Sequence, residues 1–420
     1  MTTPLEEERR RREASGDYLD LVNTDFRAAG FRFPEESYNR AWNRWRVHPE
    51  YLPSGRGNPA ARAAVADFLT RDGLETTPEQ IVLTSGSSIS YDLIFRLLRA
   101  GGSRRYHHDR WSESPAVALP NPGYPLFEHL ANGALLTPLR YNLDHRNGFH
   151  LDLGELHRVL ARRPLAIVVI SPNNPSGAVY RREDLVHLLA MCSETGTPII
   201  SDEVFSAYLE IEEPLPRPAT LLSTISDTTD RDARPLVFTL NGLSKLCAAP
   251  ELKAGWIAVH GDPGEVAATI EALDTLHDSY LTVSGFGEAA LIEFLRSEAR
   301  EDRESLTLPI ARMRATLRQS LSNLAGVSLP GNRRGAGESG GIHEIFRIDA
   351  EFSSLRFGTV DDEEIARTLV RDYGVYVHPG YLYGLDRSLT GEIDPWFVVT
   401  ALNSTVAISE GLQRLTLALR

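Results

Sequence analysis

The sequence predicts an α/β protein: a large, mostly parallel sheet buried between helices, with a smaller α+β region after it. Three observations carry that expectation. Apolar, β-branched runs alternate with helix-like stretches between about residues 81 and 260. Those runs are continuously apolar rather than alternating, as strands covered on both faces are. After about residue 290 the texture changes to long helical stretches with a few short apolar runs.

The elements follow in order. In "EEERRRR", Glu6–Arg10, Glu7–Arg11 and Glu8–Arg12 are i,i+4 pairs, which favour an exposed helix or a frayed arm. Residues 16–47 read as an irregular, aromatic segment covering a cleft. "IVLTSG" (81–86) runs into "SSISYDLIFRLLRA", a strand followed by a helix. "AVALPNPGYP" (116–125) is the next strand; "LAIVVISPNNPSG" (165–177) leads to the helical "RREDLVHLLAMCSETG". "TPIISDEVF" (197–205), "PLVFTLNGLSK" (235–245) and "LKAGWIAVH" (252–260) complete the strands of the large sheet. Helices are expected over 263–279, 287–300, 304–323 and 361–373, with strands in "GIHEIFRID" and "WFVVTALN". This divides the chain into an arm and cover (1–47), a large domain (48–290) and a small α+β domain (291–420).

Composition excludes several functions. Acidic residues outnumber basic ones, 57 to 44, for a formal charge of -13, which argues against a nucleic-acid surface. Two cysteines make no disulfide framework, so a reducing cytoplasm fits best. No apolar run is long enough to span a bilayer, and the first residues lack an apolar signal core. The adjacent histidines of "RRYHHDRW" (104–111) cannot easily share one metal and read as an exposed insertion. "GNRRGAGESGG" (331–341) lacks a strand–turn–helix context and reads as a loop.

Chemistry concentrates in five polar turns: "TSGSS", "NPGYP", "PNNPSG", "SDEVF" and "NGLSK". Each follows an apolar strand, and ligands of such sheets lie beyond the strands' carboxyl ends. Lys245 stands among small and apolar residues, where desolvation lowers an amine pKa. Asp202 closes an apolar strand, and a carboxylate buried alone is unfavourable.

Together these motifs resemble the class I/II aminotransferases, pyridoxal-phosphate enzymes of fold type I, over roughly residues 20–420. The resemblance implies a seven-stranded large sheet and a Lys245 Schiff base with the cofactor aldehyde. It implies that Asp202 faces the pyridinium nitrogen, Asn174 donates to the phenolate oxygen and Tyr124 stacks on the ring. Gly86, Ser87 and Ser88, with Lys253, would hold the phosphate. Lys253 is also a candidate cation for lowering the Lys245 pKa. Tyr51, in "EYLPSGRGNPAAR", resembles the tyrosine that reaches a neighbouring subunit's phosphate, which implies a homodimer. Cys247 reads as a packing residue.

The sequence departs from the family pattern at several positions. Ala61 stands where a leucine is usual. Phe205 stands where a tyrosine normally bonds the phenolate oxygen, leaving Asn174 or Tyr208 to compensate. Gly242 replaces a phosphate-binding serine, and Lys253 replaces an arginine with a point charge. Val398 stands where an arginine normally clamps the substrate carboxylate; Arg27, Arg32 and Arg347 are candidate replacements. The expected reaction is amino transfer between an amino acid or amine and an oxo acid. A pyridoxal-phosphate lyase or decarboxylase is the alternative, and a module that has lost turnover is a third reading.

Overall fold

In the computed structural model, residues 3–47, 53–101, 115–209, 215–225, 234–280, 283–330, 339–385, 391 and 394–420 are described. Strand β1 (Leu19–Asp20) belongs to the N-terminal segment. The large sheet comprises β2 (Ile81–Thr84), β3 (Ala116–Asn121), β4 (Thr137–Asp144), β5 (His150–Leu151), β6 (Ile167–Ile170), β7 (Ile199–Asp202), β8 (Val237–Gly242) and β9 (Gly255–His260). Their order is β2-β9-β8-β7-β6-β3-β4-β5. Strands β4, β3, β6, β7 and β8 run parallel, whereas β9 is antiparallel to both neighbours. The two-residue β5 adds an antiparallel edge to the expected seven strands.

Alternate residues explain why the strands read as unbroken apolar runs. Leu83, Ile167, Val169, Ile199 and Trp256 enter one hydrophobic cluster. Their neighbours Val82, Val168, Ile170, Ile200 and Ile257 enter a second, on the other face. Both faces are dry, so neither set of positions tolerates polar residues.

The small sheet has β10 (Val327–Ser328), β11 (His343–Ile348), β13 (His378–Pro379) and β14 (Trp396–Thr400), ordered β10-β11-β14-β13. Strand β12 (Val375–Tyr376) instead pairs in parallel with β1. One face of the small sheet, with Phe346, Ile348, Phe397 and Val399, builds a separate cluster under the helices Asp362–Tyr373 and Thr405–Ala418. The other face sends Ile345, Trp396 and Val398 into the large sheet's cluster.

The C-terminal helices appear as Pro263–Asp278, Gly285–Leu295, Arg300–Ser322 and Asp362–Tyr373, within a few residues of expectation. The N-terminal expectations need two corrections. The helix Pro4–Ala14 forms, but only Glu6–Arg10 of the three i,i+4 pairs closes, at 3.3 Å. Arg9 and Arg11 turn to Glu6 and Glu8 at i,i+3 instead, at 2.6 and 3.8 Å. Residues 35–47, expected to be irregular, form the helix Glu35–Val47. Glu35 and Glu36 lie in its first turn and Arg44 and Arg46 in its last, as the helix dipole favours. Trp42 and Trp45 pack on Phe286, and Arg44 Nε meets Glu293 at 2.7 Å. No helix among the described residues is long and apolar enough to cross a membrane.

Beside the strand that presents Asp202, buried Arg217 lies 2.8 Å from buried Glu203 and also pairs with Asp72. Replacing Arg217 by alanine leaves the Glu203 carboxyl buried without its cation. The expected destabilisation is about 3–5 kcal/mol, read by chemical denaturation.

Candidate active site

The parallel strands end along one edge, and five of the candidate residues follow from that. Helix Ser87–Arg99 starts just after β2, with Gly86 as its N-cap. Tyr124 follows β3, Asn174 follows β6, Asp202 ends β7 and Lys245 follows β8. Register ties these ends together: Asp202 pairs with Ile170 and Leu240, and Gly255 pairs with both Thr84 and Gly242.

The backbone is crowded where three glycines meet. A Cβ on Gly255 would stand 3.2 Å from Gly86 Cα, and one on Gly242 would stand 2.8 Å from the Ala254 carbonyl oxygen. A serine at 242 would collide, which explains this departure from the family pattern. Gly86 adopts φ +125°, and a Cβ there would meet nothing within 4 Å. The space above it is open. The first-turn N–H groups of Ser87 and Ser88 have no acceptor among the described residues. Free donors at a helix N-terminus suit a phosphate dianion.

Lys245 is partly buried, its Nζ 5.5 Å from the centre of the Phe26 ring and 6.0 Å from that of Phe205. Burial lowers its pKa. This corrects the expectation that Lys253 supplies a depressing cation: Lys253 is exposed, in a left-handed turn at φ +48°, and desolvation alone accounts for the shift. Phe26 belongs to the N-terminal segment, which therefore covers Lys245.

Asp202 is buried, and desolvation raises its carboxyl to about 6. It accepts hydrogen bonds from the Val204 N–H at 3.1 Å and the Tyr91 hydroxyl at 2.9 Å, but has no cationic partner among the described residues. Tyr91 escaped the sequence reading. It stands on the buried side of the helix that Ser87 opens, packed on Phe95 and Phe127. Its distance in sequence from Asp202, 111 residues, hides the contact. Because the Tyr91 hydroxyl favours the carboxylate, Tyr91→Phe raises the Asp202 pKa further. The acid limb of the pH–rate profile is expected to move to higher pH, with activity at neutral pH reduced about 10-fold or more.

Asn174 Oδ1 is buried with no hydrogen-bond partner, and a flip of the amide would present Nδ2 instead. Phe205 is confirmed as an apolar wall, and Tyr208 does not replace a hydroxyl there: its own hydroxyl donates to the Lys245 carbonyl oxygen at 2.5 Å. Tyr124 is 43 % exposed, edge-on to Phe127, and lines a pocket with Tyr383. Tyr51, the 107–108 histidine pair and residues 331–338 of the glycine-rich stretch lie outside the described residues.

Val398 is fully buried in β14. Of the arginines considered as replacements, Arg347 is held by Asp394 at 3.2 Å and by Ser328, Arg27 pairs with Glu251, and Arg32 is exposed. Among the described residues no group of three or more His, Cys, Asp or Glu is placed to hold a metal ion.

These features fit pyridoxal phosphate: free N–H donors at a helix start, an unpartnered amide oxygen, a buried carboxylate with no cation among the described residues, and an amine of lowered pKa. Comparison with known proteins agrees. Residues 15–405 match the family described as Aminotransferase class I and II. The chain is 27 % identical over 337 residues to the probable aspartate/prephenate aminotransferase of Aquifex aeolicus (strain VF5), covering 80 % of this chain and 76 % of that one. It is 25 % identical over 368 residues to nicotianamine aminotransferase 1 of Oryza sativa subsp. japonica, covering 86 % of this chain and 66 % of that relative, just under two thirds. Its fold superimposes on an alanine aminotransferase from Pyrococcus furiosus with a TM-score of 0.81 at 21 % identity, covering 98 % and 95 % of the two chains. The chain belongs to the class I and II aminotransferases, pyridoxal-phosphate-dependent enzymes of fold type I.

Proposed function

We propose that the chain moves an amino group from an amino donor to an oxo acceptor, with Lys245 as the proton-carrying amine. The observation that supports this most is Lys245 itself: a lysine whose pKa burial lowers, at the sheet edge where Asp202 has no cation among the described residues. When bound, the cofactor supplies a ring that accepts the electron pair left on the donor carbon.

The chain's own residues do the rest. Neutral Lys245 Nζ would take the proton from the donor carbon and deliver it to the cofactor carbon joined to the same nitrogen. The Asp202 carboxylate would hold a proton on the cofactor's ring nitrogen. The Ser87 and Ser88 N–H groups and Gly86 would hold the phosphate, with exposed Lys253 as a further cation. Asn174 would donate to the phenolate oxygen, and Tyr124 would cover the ring. Phe26 and Phe205 exclude water from the amine.

The proposal extends to a cytoplasmic homodimer in which Tyr51 reaches the partner's phosphate. It also keeps the division into a cover (1–47), a large domain (48–290) and a small domain (291–420). Steady-state assays with a panel of amino donors and oxo acids test the reaction. Acceptor-dependent formation of a new amino acid is expected. Acceptor-independent release of ammonia, thiol or carbon dioxide would overturn transfer in favour of lyase or decarboxylase chemistry.

A further inference from the structure

Register aligns two histidines with Val398 on one side of the small sheet. Val398 pairs with Ile345 on β11 and with His378 on β13, and His343 pairs with Thr400. Paired residues of antiparallel strands share a face, as do residues two apart on one strand. His343, Val398 and His378 therefore share the face whose Ile345 and Val398 pack into the large sheet's cluster.

This wall stands beside Lys245. The His343 ring lies edge-on to Phe205 at 5.8 Å, and Phe205 is the ring 6.0 Å from Lys245 Nζ. His343 is only 5 % exposed, and neither of its ring nitrogens is among the fully buried atoms that lack a hydrogen-bond partner. A neutral imidazole carries one donor and one acceptor. His378 Nδ1 lies 3.0 Å from the Tyr383 hydroxyl, and its other ring nitrogen has no partner among the described residues.

Lys245 and Arg9 lie close enough for their charges to act on these rings, and Arg9 is paired with Glu6 at 2.6 Å. Arg347 is engaged by Asp394, and Arg314 lies 3.0 Å from Glu344. The Thr400 hydroxyl donates to the Asn23 carbonyl oxygen at 2.7 Å. Burial, with the charges of Lys245, His378 and Arg314, holds His343 down to about 3. Burial, with Arg9 acting with it and Glu6 against it, holds His378 down to about 4. Both rings are neutral at physiological pH.

We propose that His343 and His378 form the substrate-recognition wall, and that the amino donor presents to it a neutral group that both donates and accepts hydrogen bonds, a hydroxyl or carboxamide rather than a carboxylate. This deepens, and rests on, the aminotransferase reading. A carboxylate only accepts, so it could meet the imidazole N–H groups but would leave their acceptor nitrogens unmatched, and its charge would be buried beside neutral rings. A hydroxyl or amide meets donor and acceptor together.

The test is spectral titration of the cofactor-loaded protein with amino acids, each beside its primary amide and its amino alcohol. The amides or alcohols are expected to bind at least about tenfold tighter than the parent acids at pH 7.5. His343→Phe should abolish that preference, His343→Asn should keep it, and Val398→Arg should reverse it. Parent acids binding as tightly as their amides, a preference that survives His343→Phe, or no response to any amide or alcohol would overturn the proposal. The affinity ratio is read whether or not bound donors lose their amino group. A failure of the transfer reading therefore shows separately, as binding without oxo product.

Discussion

Lys245→Ala is expected to lower turnover by more than about 10⁴-fold, because it removes both the nucleophilic amine and the proton carrier. Lys245→Arg should not rescue it, since a guanidinium keeps its proton at any accessible pH. Lys245 closes β8 in a short turn, Leu243–Leu246, packed by Phe26 and Phe205. The alanine variant should therefore fold normally, which circular dichroism checks. Reduction of the wild-type holoenzyme with borohydride, followed by peptide mapping, should place the cofactor's mass on the Lys245 peptide. Retained turnover in the folded variant would remove Lys245 from the mechanism.

The second large effect is at Asp202, where function and stability oppose each other. Its carboxyl titrates at about 6 in the folded chain and near 3.9 when unfolded. The folded state thus holds a proton that the unfolded state has lost, so cofactor-free stability falls as pH rises from about 4 to 6. The penalty above that window is roughly 3 kcal/mol. Asp202→Asn removes it, and its amide can still meet the Val204 N–H and the Tyr91 hydroxyl. The cofactor-free variant should be more stable than wild type at pH 7.5, by up to about 3 kcal/mol, with the advantage vanishing near pH 4. Its turnover should fall about 10²–10⁴-fold, because an amide cannot hold a ring-nitrogen proton by charge. Denaturation at the two pH values and steady-state kinetics check the two halves.

The core was legible because both sheet faces are dry: Val168 and Val169 face opposite clusters, so the strand reads as one apolar run. Lys245 and Asp202 were legible because a charge at the end of such a run is conspicuous. The helix Glu35–Val47 was obscured by its three arginines and two tryptophans, which look irregular until Phe286 and Glu293 are seen beneath them. Tyr91 looked like an ordinary apolar-face residue, because its hydroxyl meets a strand end far along the chain. His343, within a run that mixes polar and apolar residues, gave no sign of lying edge-on to Phe205. The hydroxyl of Tyr208 was available on paper but is committed to the Lys245 backbone. Contacts across long sequence separations, rather than local pattern, decided each of these.

The most direct test of amino transfer is a half-reaction. The purified holoenzyme is mixed with a ¹⁵N-labelled amino donor and no acceptor, and the cofactor is released and weighed by mass spectrometry. One equivalent of ¹⁵N-pyridoxamine phosphate per active site is expected, matched by one equivalent of oxo product. Pyridoxal phosphate recovered unchanged while the donor is consumed, with labelled ammonia in solution, would contradict it.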